Sequence, residues 1–166
     1  MDKFLKRIVR PDIDIDSGEK AASDLHDYTH GINSDPVTLM AIVMSALIHD
    51  SDHRGVSNAQ LMKEEPSLDA CYKGKSVAEQ NSLDLSWDLL MAPEFGDLRV
   101  CMFGNVPDMM RFRQVLVNVV LATDIFDKEL NSLRKERWNE AFQESHQCAN
   151  FNELRATIVI EHMYVA

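Results

Sequence analysis

The chain has 166 residues, 45% of them apolar, and a formal net charge of −10 from 27 acidic against 17 basic side chains. That is enough apolar material for one domain with a single core, and it argues against a disordered tail. A surface this acidic repels phosphate backbones and so speaks against nucleic acid as a partner; an anionic ligand would have to draw positive charge from a bound metal or a few placed cations.

In chain order, the opening "MDKFLKRIVR" is basic and amphipathic but lacks the apolar run of a secretory signal. It reads as a short helix whose Phe4, Leu5, Ile8 and Val9 seek a packing partner. After the polar loop "RPDIDIDSG", Ser17 is placed to cap a helix that runs to about His30 and stops at Gly31. Ser34, Asp35 and Pro36 then restart a helix, with an N-cap acceptor ahead of Pro at the first helical position. Its body, "VTLMAIVMSALI", is apolar almost all round and is expected to be the buried centre of the domain. Short helices and turns fill 55–75.

Ser76 opens "SVAEQNSLDLSWDLLM", which halts before Pro93, and a further helix spans about Pro107 to Asp124. "DKELNSLRKERWNEAF" is charged and more exposed, and "NELRATIVIEHMYV" is the last helical stretch. No segment alternates with period two for long, and no repeat or low-complexity tract occurs. The expected fold is a compact all-α, bundle-like domain of about seven helices joined by short links. Trp87, Phe112 and Trp138 fall on apolar faces and read as core. Cys71, Cys101 and Cys148 are scattered with no CxxC pairing, which suits reduced thiols and an intracellular, cytoplasmic setting. No apolar run reaches the roughly 18 residues that a membrane span requires.

The chemistry concentrates in "ALIHDSDHRGVSN", where His49, Asp50, Asp52 and His53 follow the apolar helix directly. Imidazole nitrogen and carboxylate oxygen are the donors preferred by Zn²⁺, Mn²⁺ and Mg²⁺. A carboxylate can bridge two such ions, and a two-metal site makes water nucleophilic near neutral pH. A lone His-Asp pair could equally be a helix end closed by hydrogen bonds; the density of HDxDH at the rim of a buried helix favours metal binding.

These residues resemble the catalytic domain of the class I 3′,5′-cyclic nucleotide phosphodiesterases. That family carries HDxDHxGxxN, matched here by His49, Asp50, Asp52, His53, Gly55 and Asn58. The segment "YKGKSVAEQNS" is similar to the family's stretch ending in SVxE and places its glutamate on Glu79. The run "VNVVLATDI" is similar to the helix ending in LATD and places its threonine on Thr123. The match is strongest over 35–145, and the whole of 1–166 reads as part of one such domain. The resemblance implies an all-helical domain with two divalent cations, Zn²⁺ beside Mg²⁺ or Mn²⁺. It makes His49 a zinc ligand and Asp50 a bridge between the ions. Glu79, Thr123 and Asn58 become supports that orient the site from behind, and His53 a catalytic residue near the attacking hydroxide and the phosphate oxygens. The activity implied is hydrolysis of cyclic AMP or cyclic GMP to the 5′-nucleotide. Association with, or fusion to, a nucleotide cyclase, and membrane attachment through a parent or partner protein, are further implications.

Each residue also has a local reading. Ser76 and Glu79 form S-x-x-E, the pattern of a capping box. Thr123 and Asp124 could simply end a helix, and Asp52 and Asn58 could be turn residues that hold the loop. The family's preceding HNxxHxxD motif, which supplies a general acid and a further zinc ligand, is not matched by His26 and His30 in "LHDYTHGINSDP". Asp27 stands in place of the Asn, Gly31 interrupts the helix, and the gap to His49 is short; both histidines read as structural. The missing motif is expected upstream of Met1 and the family's last aspartate ligand beyond Ala166. Two other readings remain open: a catalytically incomplete helical module that regulates or pairs with a partner, and a different HD-type metallohydrolase that recruits His26 or His30.

Overall fold

The computed structural model describes residues 23–24, 26–142 and 151–163. The expectations placed on 1–22, including the amphipathic start and the Ser17 cap, lie outside the described residues, as does Cys148. Among the described residues there are helices and turns and no strand, as the sequence predicts. Helical residues 26–28 end where Gly31 was expected to stop them. The Gly31 N–H donates to the His26 carbonyl (2.8 Å) and the His30 N–H to that of Asp27 (3.2 Å), the crossed bonds of a helix terminus. His30 (φ 53°) takes the left-handed position of that motif and Gly31 (φ 84°) follows it.

A 3-10 turn, Ile32–Ser34, leads into eight α-helices among the described residues. They are α1 (Pro36–Ile48), α2 (Asn58–Glu64), α3 (Pro66–Tyr72), α4 (Val77–Met91), α5 (Gly96–Met102), α6 (Val106–Ala122), α7 (Lys128–Phe142) and α8 (Phe151–Met163). The restart at α1 is as expected: the Asp35 carboxylate accepts from the Val37 N–H (3.1 Å), and Pro36 occupies a first-turn position where no N–H is needed. Helix α6 begins one residue before Pro107, capped by the Asn105 side chain on the Asp108 N–H (2.9 Å), and ends at Ala122 rather than Asp124.

The centre of the fold is α1 against α6. Ala41 from α1 meets Phe112, Leu116 and Val120 from α6, with Leu83 of α4 and Phe103 completing the cluster. Phe112 is wholly buried, and its ring meets that of Phe103 edge-on with centroids 5.1 Å apart. A second cluster of Ile32, Ile42, Val119 and Ile160 attaches α8. A third, Leu61 with Val77 and Ala78, ties α2 to the start of α4. Burying a side chain the size of Phe112 is worth about 1.5–3 kcal/mol.

Two expectations need correcting. Helix α1 is not buried all round, since Leu47 (74%) and Val43 (46%) are exposed. Its contacts with α6 and α8 use the faces carrying Ala41 and Ile42, and an apolar pattern alone does not say which face is covered. Trp138 is not core either: it is partly exposed and lies against Phe142 (4.5 Å) and His162 (4.6 Å) between α7 and α8. Trp87 is half-buried, with the Arg113 guanidinium 5.2 Å over its ring. Cys71 and Cys101 are free, exposed thiols. Among the described residues no helix is long and apolar enough to cross a membrane.

Candidate metal and phosphodiester site

Helix α1 delivers His49 as its C-cap residue, and the loop behind it turns sharply. The Ser51 N–H donates to the Ile48 carbonyl (2.9 Å) and the His53 N–H to that of Asp50 (3.0 Å). The turn uses left-handed backbone at Asp52 (φ 60°) and Gly55 (φ 73°). A Cβ at Gly55 would meet open space, so the positive φ and not crowding is what suits glycine there. The loop is pinned to α4, where the buried Ser82 hydroxyl donates to the Ser51 carbonyl (2.7 Å) and the Asn81 amide to the Asp52 carboxylate (3.3 Å).

Around this loop lies an open cleft of about 560 Å³, lined by His49, Asp50, His53, Asn58, Glu79 and Thr123 together with Asp124 and the exposed Ile125 and Phe126. All six residues singled out from the sequence therefore share one wall system, although they come from three separate stretches of chain. Asp52 does not line it; this side chain holds the loop, as its turn reading required. His26 and His30 do not line it either: His26 pairs with the Ser34 hydroxyl, and the His30 ring abuts Phe142.

The two imidazoles are oriented oppositely. His49 Nδ1 lies 3.1 Å from the Ala46 carbonyl oxygen, which can only accept, so Nδ1 carries a proton. That leaves Nε2 facing the Asp50 carboxylate at 3.2 Å. Two electron-pair donors this close repel unless a proton or a cation sits between them. Two N/O ligands on one ion at about 2.0–2.2 Å stand roughly 3.0–3.4 Å apart at common coordination angles, which the His49–Asp50 spacing matches. In His53 the roles reverse: Nδ1 accepts the Gly55 N–H (2.9 Å), so the neutral ring presents Nε2–H as a donor.

Behind the cleft a polar network joins three helices. Asn58, the first residue of α2, donates through Nδ2 to Glu79 (2.9 Å) and to Asp124 (3.3 Å), and its Oδ1 accepts the Ala78 N–H (2.9 Å). Asp124, nearly buried, also accepts from the Ser76 hydroxyl (2.8 Å) and from the N–H groups of Phe126 (3.0 Å) and Asp127 (3.3 Å). The Thr123 hydroxyl gives its proton to the Val120 carbonyl (2.7 Å), leaving oxygen lone pairs for the cleft. The capping box read from Ser76 and Glu79 does not form: Ser76 caps nothing with its side chain, and Asn58 instead accepts the Ala78 N–H, one residue earlier in the first turn.

Two participants were not singled out as site residues in the sequence. Asp124 was visible only as the last letter of LATD and as a residue that could end a helix. Arg134, buried on α7, donates to the Ala122 carbonyl (2.7 Å) and to that of Asp124 (3.4 Å), closing the end of α6 beside Thr123. No short-range pattern marks it.

Among the described residues no three His, Cys, Asp or Glu side chains are grouped so as to hold a metal. His49 and Asp50 have the chemistry and spacing of a ligand pair, but a zinc site normally takes at least three protein ligands. The pair fits one part of such a site.

A family model described as 3′5′-cyclic nucleotide phosphodiesterase matches residues 25–163. The chain is similar to the probable 3′,5′-cyclic phosphodiesterase pde-3 of Caenorhabditis elegans, 36% identical over 87 residues, which is 52% of this chain and 12% of that protein. It is similar to the probable 3′,5′-cyclic-AMP phosphodiesterase pde-4 of the same organism, 28% identical over 114 residues, or 63% of this chain and 16% of that one. Its fold is similar to the crystal structure of the phosphodiesterase domain of the RhoPDE fusion protein from the choanoflagellate Salpingoeca rosetta. The TM-score is 0.63 at 22% identity, covering 83% of this chain and 44% of that one. The chain thus spans less than a fifth of those curated relatives and less than half of the solved domain. The match over 25–163 takes in every residue of the cleft, and the chain belongs to the 3′5′-cyclic nucleotide phosphodiesterase family.

Proposed function

We propose that the cleft is part of a metal-dependent site that hydrolyses 3′,5′-cyclic nucleotides to 5′-nucleotides. The observation that carries this reading is the convergence of His49, Asp50, His53, Asn58, Glu79 and Thr123 on one cleft, with His49 Nε2 and an Asp50 oxygen 3.2 Å apart. His49 and Asp50 would hold divalent cations, Zn²⁺ beside Mg²⁺ or Mn²⁺, whose chemistry is to make water nucleophilic and offset phosphate charge. The chain's own groups do the rest. The His53 Nε2–H donates to a phosphate oxygen and orients the phosphodiester. Glu79 and Thr123 present acceptors that fix the direction of water O–H bonds in the cleft, and Asn58 holds Glu79 in place. Water attacking phosphorus in line with the P–O3′ bond forms a new P–O bond as that bond breaks; the water loses a proton to solvent, the 3′ oxygen takes one up, and the ring opens to the 5′-nucleotide.

The site works inside the cell on this reading, in keeping with two free, exposed thiols. A cyclase joined to or associated with the protein would supply the substrate class. Asp50→Ala tests the proposal. In the complete protein it should lower hydrolysis of cyclic AMP and cyclic GMP by about 100-fold or more and lower bound Zn²⁺ or Mn²⁺ measured by elemental analysis. Unchanged turnover and unchanged metal content would remove the reading.

A further inference from the structure

Ser76 and Glu79 stand in the spacing of a capping box, in which the serine oxygen would bond the third helical N–H and the glutamate would return to the serine N–H. The fold withholds both halves. Ser76 sits in left-handed backbone (φ 40°, ψ 51°), whereas a capping serine takes extended backbone. Its hydroxyl is committed to Asp124 at 2.8 Å. The Ala78 N–H at the start of α4 is satisfied from another helix by Asn58 Oδ1, and the same amide group takes the Glu79 carboxylate at 2.9 Å. Asp124 cannot readily turn away, because its other oxygen is fixed by the N–H groups of Phe126 and Asp127. Among the described residues no acceptor is bonded to the Ser76 N–H.

We propose that Asp124 is a positioning residue: by occupying the Ser76 hydroxyl it keeps S-x-x-E from closing into a capping box and so holds Glu79 in the cleft. Two arrangements of one helix start compete. In one, Ser76 is left-handed and latched to Asp124, and Glu79 lines the cleft. In the other, Ser76 is extended and bonded to α4, and Glu79 is folded back onto the Ser76 N–H. Left-handed serine is costly, and a local box is favourable, so the observed arrangement depends on the distant carboxylate. The value of this latch to catalysis rests on the function proposed above; the latch itself does not.

Amide hydrogen exchange of the 166-residue chain, followed by NMR, tests it. In Asp124→Ala, which leaves the Ser76 hydroxyl without its partner, the amide of residue 76 should exchange about fivefold more slowly as Glu79 closes onto it, while neighbouring amides exchange faster. A merely structural loss would speed exchange at every site. Ser76→Gly combined with Asp124→Ala should abolish the slowing, because glycine holds left-handed backbone without penalty and has no hydroxyl. If Asp124→Ala does not fold, Ser76→Asp poses the same competition with Asp124 intact: a strong capping residue repelled by Asp124 should slow exchange at position 76. Exchange at 76 that is unchanged or faster in a folded single variant, or slowing that survives in the double variant, overturns the proposal. Hydrolysis by the complete protein is measured separately, so its absence would remove the catalytic reading while leaving the exchange result to stand or fall alone.

Discussion

Replacing Asn58 separates the polar network from ordinary packing, because one amide serves three partners. Asn58→Ala removes two bonds to carboxylates, at 2.9 and 3.3 Å, and one to a backbone N–H at 2.9 Å. Bonds to charged groups are worth about 1.5–3 kcal/mol and neutral ones about 0.5–1.5 kcal/mol. The longer bond falls at the low end, and water can replace the amide at half-buried Glu79. The loss is then about 3 kcal/mol, of which alanine's better helix propensity at the start of α2 returns about 0.5 kcal/mol. Asn58→Asp is nearly isosteric and keeps an acceptor for the Ala78 N–H, yet it should do more harm. It loses both donors and sets a third carboxylate about 3 Å from two others, a repulsion of up to about 5 kcal/mol for each of the two pairs at an effective dielectric of 20, reduced by exposure. Urea unfolding followed by circular dichroism at pH 7 should place the alanine variant about 1–1.5 M below the parent and the aspartate variant lower still. Lowering the pH far enough to protonate the cluster should narrow the gap between the two. An aspartate variant as stable as the alanine variant at pH 7 would refute this arrangement of charges.

Phe112→Ala, at the wholly buried centre of the α1–α6 contact, should cost about 3–5 kcal/mol in the same urea assay. A loss below about 1 kcal/mol would mean that the helices do not meet there. Arg134→Met keeps the buried aliphatic volume but leaves the Ala122 and Asp124 carbonyls without their guanidinium, so stability should fall by about 2–3 kcal/mol. Burial first, and then the positive charge of Arg155, hold the His30 imidazole below its usual range, so protonation is disfavoured in the fold. The stability this contributes is present above the unfolded value near 6.5 and is lost as pH falls through the lowered folded value. His30→Asn, which tolerates the left-handed backbone, should flatten that acid-side decline in thermal melts, and an unchanged slope would contradict it.

The sequence was most legible where cause and effect are neighbours. Asp35 followed by Pro36 starts α1, Gly31 follows the end of the helix before it, and Pro93 stands two residues beyond the last turn of α4. Each acts through a few covalent bonds' reach. The candidate site was legible through its motif letters, and the cleft places six of them together. What local reasoning missed acts at long range. Ser76 and Glu79 satisfy the pattern of a capping box, and only Asp124, 48 residues onward, and Asn58, about 20 residues back, decide that the box stays open. Arg134 was invisible for the same reason, since its partners are carbonyls, which every residue carries. Leu47 shows the converse error: an apolar side chain states what it would prefer to bury against, not that a neighbour is there.

The charge around the cleft adds support to the cations proposed for it. Asp50, Glu79 and Asp124 line it, and no Lys or Arg among the described residues does. The nearby cations are committed elsewhere: Arg54 to Glu65 at 2.6 Å, Lys75 to Glu129 at 3.0 Å, and Arg134 to backbone carbonyls. With a net charge of −10, the rest of the surface adds repulsion rather than relief. A cyclic phosphodiester carries one negative charge and would meet an unfavourable field on approach, which neutral donors such as the His53 ring offset only in part. The His49–Asp50 pair stands at the same rim, with Nε2 3.2 Å from a carboxylate oxygen. The two divalent cations proposed above would satisfy that pair and, carrying +4 against three carboxylates, reverse the local sign, so the arrangement that repels an anion is also one that would attract those cations.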